Sequence, residues 1–230
     1  MIGIVIPAHD EVEHIGTALH AVMQAAAHSD LQGEEVVVIV VLDSCTDGTG
    51  ALAEQHGART VALDARNVGI ARAAGADLLL EAGARWLAFT DADTRVSPEW
   101  LVSQLALEAD VVCGSIGVDD WDVHGRHGDF LRKHFSRTYT DADGHRHIHG
   151  ANLGVSAQAY RSVGGFAPLA SSEDVALVEA LQASGARIAW SAAPRVTTSA
   201  RTKARARGGF GDTLLAVVAA AALVIETGVA

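Results

Sequence analysis

The stretch "EEVVVIVVLD", residues 34–43, constrains the fold more than any other. After its two glutamates it is continuously apolar and β-branched, with no alternation of polar and apolar positions. Such a run suits a strand buried on both faces, as found in parallel sheets covered by helices on either side. Parallel neighbours need long crossover connections. Helices are therefore expected before and after it.

The rest of the first half supplies them. "IGIVIP" at 2–7 reads as a strand stopped by proline. Val12, Ile15, Leu19, Val22, Met23 and Ala26 then recur at helical spacing. "DGTGALAEQHG" at 47–57 reads as a short helix ending at Gly57, with Asp47 and Gly48 making its turn and start. "RTVAL" at 59–63 is a third strand, 68–83 a third helix and "RWLAFT" at 85–90 a fourth strand. Ser97 as N-cap and Pro98 at the first position open another helix, and 110–116 is a fifth strand. This alternation predicts an α/β fold with an open, mostly parallel central sheet and helices on both faces. Ligands of such sheets bind beyond the carboxyl ends of the strands. "PAHDE", "DSCTDGT", "DARN" and "TDADT" all fall there.

The rhythm breaks after 116. Residues 117–149 are polar and hold most of the histidines. A strand-like stretch and short helix follow at 150–166, then a helix over 171–185 capped by Ser171 or Ser172, and a late strand at 187–190. A basic, glycine-containing loop at 201–212 precedes a last helix at 213–230. No repeat and no low-complexity linker interrupts the chain, so a single domain over 1–230 is expected.

A net charge of −11 argues against nucleic acid or an anionic membrane as the main partner. Cys45 and Cys113 make no disulfide framework, and a reducing, cytoplasmic setting fits. No positively charged stretch precedes the first apolar run, so no secretory leader is expected. "LLAVVAAAALVI" at 214–225 falls short of the ~20 residues that span a bilayer. A packed helix is expected there; an interfacial helix, peripheral to the inner membrane face, stays open.

Asp91 and Asp93 close an apolar run in "FTDADT". If the strand persists to this point, both side chains leave on one face. Two hard oxygen ligands suit Mg²⁺ or Mn²⁺. The competing structural reading is that Asp93 and Thr94 cap a following helix. No G-x-G-x-x-G follows the first strand and no Walker A lysine motif is present. Phosphate charge would have to be met by a metal and by arginines. His145, His147 and His149 alternate and in a strand would share a face, an arrangement that could bind Zn²⁺.

The ordered set "IPAHDE", "VLDSCTDGT", "ARNVGIARAAGA", "FTDADT", "HGANLGVSAQAYRSVGGF" and "SSEDVALVEAL" resembles the family 2 glycosyltransferases, with their GT-A fold, over roughly residues 3–185. The resemblance implies a nucleotide-binding half at 1–116, an acceptor-side half at 117–212 and a C-terminal helix. It implies nucleoside contacts from Pro7, Ala8, Glu11 and Asp43. "ARN" at 65–67, with Gly69 and Arg72, would line the nucleotide cleft, Arg72 reaching phosphate or the D-x-D carboxylates; a solvent-facing arginine is the alternative. It implies Asp93 on the metal, Asp91 on the ribose or the metal's water shell, Gly150 and Asn152 on substrate, and His149 at the donor sugar, diphosphate or metal. The histidine segment would then be a loop over the sugar site. Asp174 would be the general base and Glu173 an acceptor contact. Arg201 and Arg207, with Gly208 and Gly209 as hinge, would form a lid on the donor diphosphate.

The expected activity is inverting transfer of a sugar from a UDP- or GDP-type donor to an unknown hydroxyl acceptor, dependent on Mn²⁺ or Mg²⁺. The rivals are a non-catalytic nucleotide-sugar-binding protein and a nucleotidyltransferase of similar fold. Leu42 stands where many relatives have a second Asp, which leaves the nucleoside preference open. The chain lacks a Q-x-x-R-W signature and transmembrane segments, which disfavours a processive, membrane-bound synthase. A homodimer through the C-terminal helix stays open.

Overall fold

The structure is a computed structural model and describes residues 1–202 and 210–227. Two units are distinguished. The first comprises Met1–Gly117 and Asp141–Thr198, the second Val118–Thr140 and Ser199–Ala230. Residues 118–140 thus group with the C-terminal segment, whereas the sequence reading put them with 141–212.

In the first unit strand and helix alternate as β1 (Ile2–Ala8), α1 (Ile15–Ala26), β2 (Val36–Asp43), α2 (Thr49–Gln55), β3 (Arg59–Leu63), α3 (Val68–Glu81) and β4 (Trp86–Phe89). β5 (Thr94–Val96), α4 (Trp100–Ala106) and β6 (Val111–Gly114) follow. Beyond the short β7 (Gly117–Asp119) and α5 (Gly128–Thr138), the chain continues with β8 (Leu153–Ser156), α6 (Ala157–Ser162), α7 (Glu173–Ala183), β9 (Ile188–Ser191) and β10 (Val196–Ser199). The main sheet has seven strands in the order β3-β2-β1-β4-β8-β6-β9. β1 lies parallel to β2 and β4, and β2 to β3. β8 is the exception, antiparallel to both β4 and β6.

The apolar run that fixed the fold class is β2, and Val40 and Val41 are fully buried within it. One side of the sheet packs Val5, Val41, Leu87, Phe89 and Val155 against Leu79 of α3 and Leu177 and Leu181 of α7. A Cβ at Gly75 would stand 2.6 Å from Val5 Cγ1, so the backbone of α3 rests directly on the sheet. Phe89 meets Phe166 edge-on at 4.9 Å. Burial of one such ring contributes about 1.5–3 kcal/mol.

Three local expectations are corrected. β1 runs through Pro7 to Ala8, in register with Val41 and Leu42, so proline does not stop it. β4 ends at Phe89 rather than at 90. α4 begins at Trp100 with Glu99, not Ser97, at its N-cap position. The reason is pairing: the Ser97 N–H donates to the Arg195 carbonyl at 2.8 Å, which ties Ser97 to the edge of a strand pair.

In the second unit, Leu131 of α5, Leu214 of α8 (Phe210–Thr227) and Ala200, just after β10, form a small core. Among the described residues, no helix is long and apolar enough to cross a membrane.

Candidate active site

Arg72 is the centre of the site. It lies in the second turn of α3, yet its side chain is only 4% exposed. Its Nη2 stands 2.5 Å from Asp91 Oδ1, and its Nη1 donates to Glu173 Oε1. A buried guanidinium is costly unless paired, and here two carboxylates from distant parts of the chain supply the pairing. The Phe166 ring lies 5.9 Å from Cζ. A Cβ at Gly150 would stand 2.3 Å from Nη1, so only glycine fits against the guanidinium. Arg72 is thus not the solvent-facing arginine that was the alternative; of the D-x-D carboxylates it holds Asp91.

The D-x-D pair itself sits in a turn. The Thr94 N–H donates to the Asp91 carbonyl at 3.1 Å. Since β4 has already ended, the argument that a strand directs both carboxylates to one face does not hold. Nor does Asp93 cap a helix, because the turn leads into β5. Thr94 is buried instead, its hydroxyl 3.0 Å from that of Thr198. Asp91 keeps about a third of its side chain exposed, at 36%.

Glu173 and Asp174 open α7. Glu173 is buried against Arg72. Asp174 Oδ2 accepts the Gly150 N–H at 2.7 Å, which joins "ED" to "HGAN". Both acids stand in the first turn, where the helix dipole favours negative charge. Ser172 occupies the N-cap position with a left-handed φ of 59° and no capping side-chain bond, so neither expected serine cap forms.

His145, His147 and His149 stack ring on ring, at 5.5 Å and 6.0 Å between centroids. They share a face as their alternation predicts, although the segment is not part of a sheet. His145 is buried; its Nδ1 accepts the His147 N–H at 3.1 Å and its Nε2 lies 3.3 Å from the Ser191 carbonyl. Both ring nitrogens are thus engaged, which removes His145 from a zinc triad. Burial pushes the His149 imidazole down to about 4, against the pull of Asp174. It is therefore neutral near pH 7.

The nucleoside candidates lie at the carboxyl ends of β1 and β2. Pro7 is half-buried; Ala8 is buried, and its carbonyl accepts from Cys45 Sγ at 3.3 Å. Glu11 is buried, and its carbonyl accepts the His14 and Ile15 N–H groups that begin α1. Asp43 is buried and accepts three backbone N–H groups, from Ala65, Arg66 and Asn67, at 2.7–2.8 Å. Asp47 accepts the Thr49 N–H at 2.9 Å, the turn and helix start expected of it.

One expected contact is taken up by the core. Asn152 is fully buried; its amide donates to the Ser115 and Pro194 carbonyls at 2.7 and 2.9 Å and accepts from Trp100 Nε1 at 2.9 Å. It is a core tie with no surface to offer a substrate. Arg201 belongs to the second unit, with its N–H 3.2 Å from Ser199 Oγ. Arg207, Gly208 and Gly209 lie outside the described residues. Asn67, read from sequence as part of the "ARN" stretch lining the cleft, accepts the Ile70 N–H at 3.0 Å as the N-cap of α3. An Asn immediately ahead of a helical run was the available signal.

Residues 3–164 match the model of the family described as glycosyl transferase family 2. The chain belongs to that family. No curated protein matches this family 2 chain in sequence. Solved structures resemble it in fold. Staphylococcus aureus TarS 1–349 in complex with UDP-GlcNAc is 15% identical, covering 95% of this chain and 65% of its own, with a TM-score of 0.67. The mannosyltransferase PcManGT from Pyrobaculum calidifontis in complex with GDP-Man and Mn²⁺ is 16% identical, covering 90% and 58%, with a TM-score of 0.64. A mycobacterial protein is 21% identical, covering 89% and 68%, with a TM-score of 0.58. This family 2 chain spans less than two thirds of the first two. At these identities the likeness establishes the fold, a GT-A-type α/β architecture.

The donors at the site suit a hard cation of the family rather than a caged transition metal. Asp91 and Asp93 offer carboxylate oxygens, and Arg72 already holds one of them. Among the described residues, no three His, Cys, Asp or Glu side chains converge to hold an ion. A cation here would draw its remaining ligands from phosphate oxygens and water, as Mg²⁺ and Mn²⁺ do.

Proposed function

We propose that this chain transfers a sugar, with inversion, from a nucleotide-diphosphate donor to a hydroxyl acceptor. The observation that carries the reading is the Arg72 cluster. One buried guanidinium joins the D-x-D turn to the "ED" start of α7, and Gly150 completes it. A metal-and-phosphate carboxylate and a base carboxylate thereby belong to one packed unit. UDP-GlcNAc on TarS, and GDP-Man with Mn²⁺ on PcManGT, support a nucleotide-sugar donor and a divalent ion.

The chemistry follows from named groups. A sugar hydroxyl is a weak nucleophile, and removal of its proton during attack eases the displacement. Asp174 is the group for that step. Its oxygens are oriented by the Gly150 and Val175 N–H groups at 2.7 and 2.8 Å, and each keeps a lone pair for the incoming proton. Asp93, with Asp91 beside it, would hold Mn²⁺ or Mg²⁺, which when bound offsets charge on the departing diphosphate. His149, next to Gly150, is neutral and adds no charge beside Asp174.

The test is Asp174→Asn, assayed with UDP- and GDP-sugars and Mn²⁺. Turnover is expected to fall by ~10²-fold or more, while calorimetry shows nucleotide diphosphate still bound. Wild-type turnover in this variant would overturn the assignment of the base. Binding without turnover in the wild-type protein, across donors and hydroxyl acceptors, would favour the non-catalytic reading.

A further inference from the structure

The loop between β3 and α3 is tied at one end to Asp43 and at the other to the segment that leads into α7. Asn67 carries both ties. Its N–H donates to Asp43 Oδ2 at 2.7 Å, and its side-chain amide donates to the Pro168 carbonyl at 3.1 Å. Two residues on, the Gly69 N–H donates to the Leu169 carbonyl at 3.0 Å. A Cβ at Gly69 would stand 2.3 Å from the Ala167 carbonyl oxygen, so the two segments are in backbone contact. Glu173 and Asp174 follow Leu169 by four and five residues.

Building on the transferase reading above, we propose that Asp43 is a positioning residue for the α7 carboxylates rather than a reader of the nucleobase. A carboxylate has roughly four lone-pair sites. Three accept the backbone N–H groups of Ala65, Arg66 and Asn67, and the Ser44 hydroxyl lies 3.3 Å from Oδ1. Oδ1 is thereby filled; one lone pair stays on Oδ2, and Asp43 is only 5% exposed, which leaves little room for a base to reach it. The bonds also do work that the loop requires. Arg66 has a φ of 47°, a left-handed conformation that a non-glycine residue keeps only when its surroundings hold it. Asp43 holds it, which sets Asn67, which sets 167–169, which fixes the approach of Glu173 to Arg72.

Hydrogen exchange on the free protein separates the two roles. Asp43→Asn turns one acceptor oxygen into a donor facing the loop N–H groups. Asn67→Asp keeps the cap on α3 and replaces the donor to Pro168 with a carboxylate oxygen that repels its carbonyl. Amides within 166–172 are expected to exchange at least ~10-fold faster in both variants. In transfer assays kcat should fall while the donor KM changes by less than ~3-fold. The order of affinity among UDP, GDP and other nucleoside diphosphates should be kept in Asp43→Asn. Wild-type exchange at 166–172 in both variants would overturn the proposal, whether or not the protein transfers sugar. So would a lost base preference in Asp43→Asn with 166–172 exchanging at the wild-type rate. Faster exchange in a protein that transfers no sugar would uphold the coupling and count against the transferase reading.

Discussion

Arg72 shows how one side chain converts scattered motifs into a site. Its two ion pairs connect residues far apart in sequence, and each depends on the guanidinium lying flat against Gly150. Gly150→Ala puts a methyl where the guanidinium stands. Overpacking of this kind costs about 1–3 kcal/mol, and urea denaturation should show that loss. Because the displaced group holds both Asp91 and Glu173, turnover should fall far more than stability suggests. His149 gives a second test. Its imidazole titrates at about 4 in the folded protein against an ordinary 6.5. Between those values the unfolded chain binds the extra proton. The stability from this group is therefore complete above pH 6.5 and is lost as pH falls toward 4. His149→Gln should flatten the stability profile over that window, read as urea midpoints at successive pH values. The acids of "TDADT" were legible because ionisable groups at the end of an apolar run need a reason to be there; those of "SSED" stood out only through the family resemblance. Asn152 was not. A polar residue inside a motif reads as ligand-facing, and only the structure reveals that Trp100, Ser115 and Pro194 consume its amide.

At the level of elements, β2, β3 and α3 follow directly from hydrophobic pattern, and that pattern alone predicts a parallel sheet. The antiparallel β8 does not follow from it. "LGVS" has no feature that sets its direction; its neighbours β4 and β6 do. α5 was hidden because few of its residues are apolar, and Leu131 is its only fully buried large side chain. The end of α4 illustrates local strain. Glu108 follows the C-cap of α4 with a φ of 49° and is solvent-exposed. Glycine is the usual residue at such a position, and a left-handed non-glycine residue costs roughly 1–2 kcal/mol. Glu108→Gly should raise the thermal midpoint by a few degrees and leave turnover unchanged, as calorimetry and assay would show.

At the scale of the whole molecule, a ligand that binds only the folded chain raises its stability by mass action. A nucleoside diphosphate with Mn²⁺ at about a hundred times its Kd should add roughly 2.7 kcal/mol. The thermal midpoint should rise accordingly. EDTA should remove most of that gain, and Asp93→Ala should remove the metal-dependent part of it. A shift of equal size with and without metal would separate nucleotide binding from the D-x-D turn.

The order of the sheet also governs how a ribosome can deliver it. β3, β2, β1 and β4 are all made by residue 89, and they pair among themselves. β6 is complete at 114, but both of its neighbours, β8 and β9, are made later. The nearer of them begins at 153, 39 residues on. At 5–20 residues per second that interval lasts roughly two to eight seconds. Throughout it the nascent chain presents the open edge of β4 and an unpartnered β6, the kind of exposed backbone that templates aggregation. The strand that joins β4 to β6 is thus also the step at which a growing chain stops needing protection from its neighbours.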